Sequence, residues 1–249
     1  MKKIFKLIAI GLSFAVFLSC IKSNSSHTEL INDNQDIIFE ISNASVALVN
    51  SNGNAFCGGT WISDHYILTA RHCVEDTFTL DAVGKHIGIK TFKEANKNYP
   101  LEKNEVLHMS TVYAVDSVSD SSLLYVEEDI QHKVAPLRKN KLELGEHLHI
   151  IGHPSGLEFT YLPGTVSQVR MYKRTYVFSV FNAIDMDQKV IQVNADVWFG
   201  NSGGGAFDED GNLVGLASFI REDRGMSFFV HKELLINFLN KNKITYYLH

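Results

Sequence analysis

From Ile37 onward the chain alternates short apolar or period-two segments with turns built from Gly, Asn, Asp and Ser. Alternation of that period, bounded by turn residues, is the mark of half-buried strands. Strands are expected near Ala44–Val49, Phe56–Ile62, Tyr66–Thr69, Phe78–Val83, His86–Thr91, Leu107–Val115, Leu123–Val126, Leu148–Ile151, Thr160–Val169, Tyr176–Phe181, Val190–Asn194, Leu213–Phe219 and Ser227–Val230. Such a series makes a sandwich or barrel, so the fold class is all-β. Convincing helical spacing occurs only in His231–Asn240, where Leu234, Leu235, Phe238 and Leu239 form an apolar stripe suited to packing on a barrel.

The first residues follow a different pattern. Lys2, Lys3 and Lys6 precede an apolar run from Leu7 to Leu18, and polar residues begin at Ser23. The run is too short to cross a bilayer and reads as a signal peptide over residues 1–19. Phe17-Leu18-Ser19-Cys20 resembles a bacterial lipobox, although Phe17 and Ser19 depart from the Leu and the Gly or Ala preferred at those places. The resemblance implies a lipid on Cys20, a membrane anchor, and a location facing the periplasm or exterior of a bacterial cell. Without the lipid the chain would be periplasmic or secreted. Ser23 to about Asp36 is polar and aperiodic, a tether within residues 20–36, and residues 37–249 form a single unit with no internal repeat.

Composition narrows the function. A chain of 249 residues with 45 % hydrophobic and 20 % charged positions buries a core, which excludes disorder and collagen-like repetition. The net charge of −5 understates the acidity, because beyond the three N-terminal lysines there are 20 basic against 28 acidic residues. No basic footprint for nucleic acid is present, nor a polybasic membrane patch.

Three separated segments carry chemistry together. Ile67-Leu68-Thr69-Ala70-Arg71-His72-Cys73 ends an apolar strand in histidine, Asp120 directly precedes the run Ser121-Ser122-Leu123-Leu124-Tyr125-Val126, and Ser202 sits in Gly200-Asn201-Ser202-Gly203-Gly204. A serine hydroxyl needs a base within hydrogen-bond reach before it can attack an amide, and a neutral imidazole suits that role. The imidazolium formed in the attack needs a fixed anion to orient it. Asp116 competes for that place, but Asp120 stands next to the apolar strand. Order, spacing and flanking residues resemble the chymotrypsin-like serine proteases over roughly residues 37–240.

The resemblance implies two six-stranded antiparallel β-barrels, about 37–140 and 141–230, then the helix over 231–240. The catalytic residues would be His72, Asp120 and Ser202, with the N–H groups of Gly200 and Ser202 as the oxyanion hole. Similar enzymes join the positions of Cys57 and Cys73 by a disulfide, which leaves Cys20, the third cysteine, for the lipid. Neither a metal nor an organic cofactor is expected. His147 and His149 share a strand face, yet with no third ligand nearby they read as a solvated face.

Gly152-His153-Pro154-Ser155-Gly156-Leu157, Gly164-Thr165-Val166-Ser167 and Gly225-Met226-Ser227-Phe228-Phe229-Val230 look like segments of HtrA-type bacterial proteases, here expected without a PDZ domain. Asn201 stands where cleavage-activated relatives have the Asp that pairs with a new N-terminus, so the resemblance implies activity without a zymogen cut. Protein or peptide substrate would lie extended along Ser218–Ile220, and the chain is expected to act as a monomer. Asp196, six residues before Ser202, is at the offset of the pocket carboxylate in trypsin-like enzymes and favours Lys or Arg before the cut bond. Ile220 opposes that preference, because its branched side chain would narrow the pocket toward small apolar residues. The alternative is a catalytically silent relative that binds peptides or proteins in the same crevice.

Overall fold

The computed structural model describes residues 35–75, 82–95, 107–179, 182–221 and 226–249. The segment expected to be a signal peptide, Cys20 and nearly all of the expected tether lie outside them. From Ile38 to His249 the chain is one compact unit of two closed barrels, each with six antiparallel strands.

The first barrel runs β1 (Ser45–Val49), β2 (Ala55–Trp61), β3 (Tyr66–Ala70), β4 (His86–Thr91), β5 (His108–Asp116) and β6 (Ser121–Tyr125). Its spatial order is β1-β2-β3-β6-β5-β4, with β4 closing on β1. Val46, Leu48, Trp61, Ile67, Ile89, Val112 and Leu124 fill it. All five residues of β1 are buried, because Val46 and Leu48 point into the barrel while Ala47 and Val49 meet Ala55 and Phe159 outside it. Burial on both faces replaces the usual alternation by a continuous apolar run.

The second barrel comprises β7 (His147–Gly152), β8 (Thr160–Ser179), β9 (Asn182–Asn194), β10 (Gly205–Phe207), β11 (Leu213–Arg221) and β12 (Met226–His231). The order is β10-β11-β12-β9-β8-β7, and β7 closes on β10. Leu148, Ile150, Val166, Ile191, Val214 and Phe229 lie in its core.

Several elements differ from the pattern reading. The strands expected at Thr160–Val169 and Tyr176–Phe181 are one strand, β8, whose ladder with β9 runs from Thr165↔Asn194 to Ser179↔Asn182. The polar stretch between them pairs as strand because backbone pairing in a two-stranded ribbon needs no buried face. β10 has three residues, too few for a period to show. Most of the strand expected at Phe78–Val83 lies outside the described residues.

Two further α-helical segments lie among the described residues, 35–43 (α1) and Phe92–Ala95 (α2). In α1 the Ser42 hydroxyl donates to the Ile38 carbonyl at 2.7 Å and Asn43 to that of Phe39 at 2.8 Å, local bonds that periodicity does not report. The final helix, α3 (Lys232–Lys241), buries Leu235, Phe238 and Leu239, and His231 caps it by accepting from the Glu233 N–H.

The barrels touch backbone to backbone near their middle. A Cβ at Gly58 of β2 would stand 2.9 Å from the α-carbon of Gly204, so only glycine permits the approach. The Gly58 N–H donates to the Ser202 carbonyl at 2.8 Å, and the Gly203 N–H to that of Ala217 at 2.7 Å. Cys57 and Cys73 form the expected disulfide across 16 positions. Closing a loop of that size is worth about 3 kcal/mol in the chain-entropy account.

Candidate active site

Strand register brings the first two residues together. β3 and β6 pair Thr69 with Ser122 and Ala70 with Ser121, and the Arg71 N–H then donates to the Asp120 carbonyl at 2.9 Å. The chain after β3 enters a short helical turn, Arg71–Cys73, which swings His72 over the Asp120 side chain. His72 Nδ1 lies 2.9 Å from Asp120 Oδ2 and its backbone N–H donates to Oδ1 at 3.2 Å. An ionised carboxylate only accepts, so Nδ1 carries the proton and Nε2 is left as the basic nitrogen.

Asp120 is 2 % exposed. Its third donor comes from the other barrel: the Ser218 hydroxyl of β11 reaches Oδ2 at 2.6 Å. The backbone at Asp120 is left-handed, φ 48°, a conformation that costs a non-glycine residue about 1 kcal/mol or more and persists where surrounding bonds enforce it. Asp116 makes no such contact; its carboxylate accepts from the N–H and hydroxyl of Ser119.

Beside His72 is an ion pair that sequence reasoning missed. The Arg71 guanidinium contacts Glu75 four residues on, and both side chains are buried. Burial pushes the Glu75 carboxyl up, and Arg71 offsets part of that rise. The i, i+4 spacing was visible, but nothing in it says that the pair faces inward.

Ser202 shares a crevice of about 310 Å³ with His72. Its walls are apolar: Val197, Ala217 and Ile220, with the aromatic Trp198, Phe199 and Phe219. Trp198 and Phe199 pack edge-on, ring centres 5.3 Å apart, and are 47 % and 61 % exposed. The N–H groups of Gly200 and Ser202 donate to no acceptor among the described residues, whereas Asn201 N–H is used by the Trp198 carbonyl at 3.1 Å. Asn201 is fully buried and its amide also donates to Trp198, at 2.9 Å. Gly200 has φ 100°, and a Cβ there would lie 2.2 Å from the His153 carbonyl oxygen.

Of the residues expected to bind substrate, Ser218 and Ile220 line this crevice and Asp196 does not. Asp196 is exposed, and the next residue, Val197, takes the inward place. An aspartate with solvent available keeps its hydration, which no partner among the described residues replaces. Among the described residues no cluster of three or more His, Cys, Asp or Glu could hold a metal ion. His149 instead meets the Tyr161 hydroxyl at 3.0 Å.

His153 is fully buried between the barrels. Its Nε2 lies 3.1 Å from the Val46 carbonyl of β1, and its Nδ1 accepts from the Phe159 N–H at 3.0 Å, an arrangement that requires the neutral ring protonated at Nε2. Burial lowers its pKa from 6.5 to about 4.

The fold and site together define a two-barrel protein of the serine protease type, and comparison with known proteins agrees. Residues 53–216 match the trypsin-like peptidase domain family, and the chain belongs to it. It is 30 % identical over 218 residues to Serine protease Do-like HtrA of Bacillus subtilis (strain 168), covering 78 % of this chain and 45 % of that protein. Against human Serine protease HTRA4 it is 27 % identical over 138 residues, 55 % of this chain and 28 % of that one. The chain thus spans less than half the length of these relatives.

Among solved structures, the active form of a protease from M. tuberculosis superposes with a TM-score of 0.65 at 17 % identity, covering 88 % of each chain. The serine endoprotease from Yersinia pestis gives 0.61 at 21 % identity, over 84 % of this chain and 65 % of that one.

The His153 geometry carries a pH prediction. The unfolded imidazole titrates near 6.5 and the folded one at about 4, so in that window the unfolded chain binds the extra proton. Stability is therefore full above pH 6.5 and falls as the pH drops to about 4, by roughly 3 kcal/mol for this group. Urea unfolding from pH 7 to 4 should show a shallower slope in His153→Phe than in the parent; parallel slopes would contradict the assignment.

Proposed function

We propose that the chain is a serine endopeptidase that cleaves proteins or peptides through an acyl-enzyme. The observation that carries this reading is the contact of His72 Nδ1 with a buried Asp120, 2.9 Å away, on the crevice that also holds Ser202. Ser202 Oγ attacks the scissile carbonyl while His72 Nε2 takes its proton, and Asp120 stabilises the imidazolium. The oxyanion is received by the N–H groups of Gly200 and Ser202. His72 then returns the proton to the departing amine, and water, activated by the same nitrogen, releases the acyl group.

The site is active as folded. Asn201 supplies a neutral amide bonded to Trp198, so no charge waits there for a newly cut N-terminus. A fluorophosphonate should label Ser202 of the uncut chain, Ser202→Ala should label not at all, and Asp120→Asn should lose about 10⁴ in kcat. Equal labelling of Ser202→Ala would overturn the mechanism, and an unlabelled parent would leave the peptide-binding relative as the reading.

The residue before the cut bond is small or medium and apolar. Val197, Ala217 and Ile220 offer it no charge partner, and Asp196 faces solvent. A peptide library varied at that position should select Ala, Val or Leu, and Asp196→Ser should leave the profile unchanged. Selection of Lys or Arg that vanishes in Asp196→Ser would reverse the assignment.

The chain is exported and carries a lipid on Cys20, as the lipobox-like Phe17–Cys20 suggests; the Cys57–Cys73 disulfide suits an oxidising compartment. Intact mass of the mature protein from a bacterial host should show acyl chains on an N-terminal Cys20. A mature end elsewhere, or an unmodified thiol, would refute the anchor.

A further inference from the structure

Without an ion pair at Asn201, something else must hold Phe199–Gly200 if the Gly200 N–H is to serve as an oxyanion donor. The turn over residues 153–159 does so by contact. The Ser155 N–H donates to the Phe199 carbonyl at 2.8 Å, and the Gly200 backbone is pressed on the His153 carbonyl closely enough to exclude any Cβ. That turn is itself costly: Ser155 and Phe159 have φ of 53° and 51°, which side chains of their kind adopt only under constraint. The constraint is His153. Its rigid ring accepts from Phe159 on one side and donates to Val46 of β1 on the other. The Phe159 ring packs edge-on to it at 4.9 Å and covers Ala47, Val49 and Ala55 on the first barrel.

We propose that His153 is a positioning residue for the oxyanion hole: it ties the 153–159 turn to the first barrel, and through that turn fixes Phe199–Gly200 with the Gly200 N–H turned toward substrate. The inference rests on reading Gly200 and Ser202 as the oxyanion donors. It makes barrel docking and transition-state binding one property, since the same imidazole belongs to both. Loss of the tie weakens binding of the tetrahedral state and leaves ground-state binding along Ser218–Ile220 in place.

The test compares full-length parent and His153→Leu, both shown to be folded by thermal unfolding and by an intact Cys57–Cys73 disulfide. Three quantities are read: the rate of fluorophosphonate labelling, kcat and KM on the best library peptide, and the Kd of an acetyl-tetrapeptide acid ending in valine, which has no tetrahedral centre. His153→Leu should lose at least about tenfold in labelling rate and in kcat, with KM and peptide Kd within threefold. Unchanged kcat and labelling, or a parallel loss of peptide affinity, overturns the inference. If His153→Leu does not fold, Phe159→Ala removes the packed ring and no side-chain hydrogen bond, and the same split, or its absence, decides. A parent that itself fails to label overturns the protease reading and this inference with it, whereas a labelling parent with an unaffected variant overturns the inference alone.

Discussion

A carboxylate taken out of water must be surrounded by donors, and Asp120 finds them in both barrels. His72 supplies its ring and backbone N–H groups from the first, Ser218 its hydroxyl from the second. Removing any donor would leave part of a buried charge unsatisfied, at a cost of several kcal/mol. The docking of the barrels thus satisfies Asp120, and it also sets Ser202 on the crevice that His72 lines.

Docking that close demands missing side chains. Gly58 lies against Gly204, and the Gly58 N–H holds the Ser202 carbonyl, so the backbone of Ser202 is pinned by the opposite barrel. The disulfide fastens the turn that carries His72 to the strand that carries Gly58. His153 and Phe159 add further contacts between the barrels. Four features far apart in sequence thus restrain the same few ångströms of backbone.

Much of this was legible in the chain. The neighbouring places of His72 and Asp120 follow from their positions two residues after β3 and one residue before β6, a local relation that apolar runs mark well. That the chain is all-β follows from alternation and turn residues, whereas its division into two six-stranded barrels is what the family resemblance implies. What was not legible depends on contacts between segments distant in sequence. The hydroxyl of Ser218 reads as one more polar residue on a substrate strand until β11 lies against Asp120. Asp196 has the right offset for a pocket carboxylate, but offset does not fix the shape of the turn, and Val197 takes the inward place. β8 was cut short in the reading because its polar middle pairs without being buried.

The central claim is that the two barrels together bind a tetrahedral oxyanion, and a crystal structure of the protein inactivated by a peptidyl phosphonate tests it most directly. Phosphorus should be bonded to Ser202 Oγ, with one phosphonyl oxygen between the N–H groups of Gly200 and Ser202, and the contacts of Asp120 with His72 and Ser218 unchanged. A phosphonyl oxygen turned to solvent, or a Gly200 N–H directed away from it, would contradict the account.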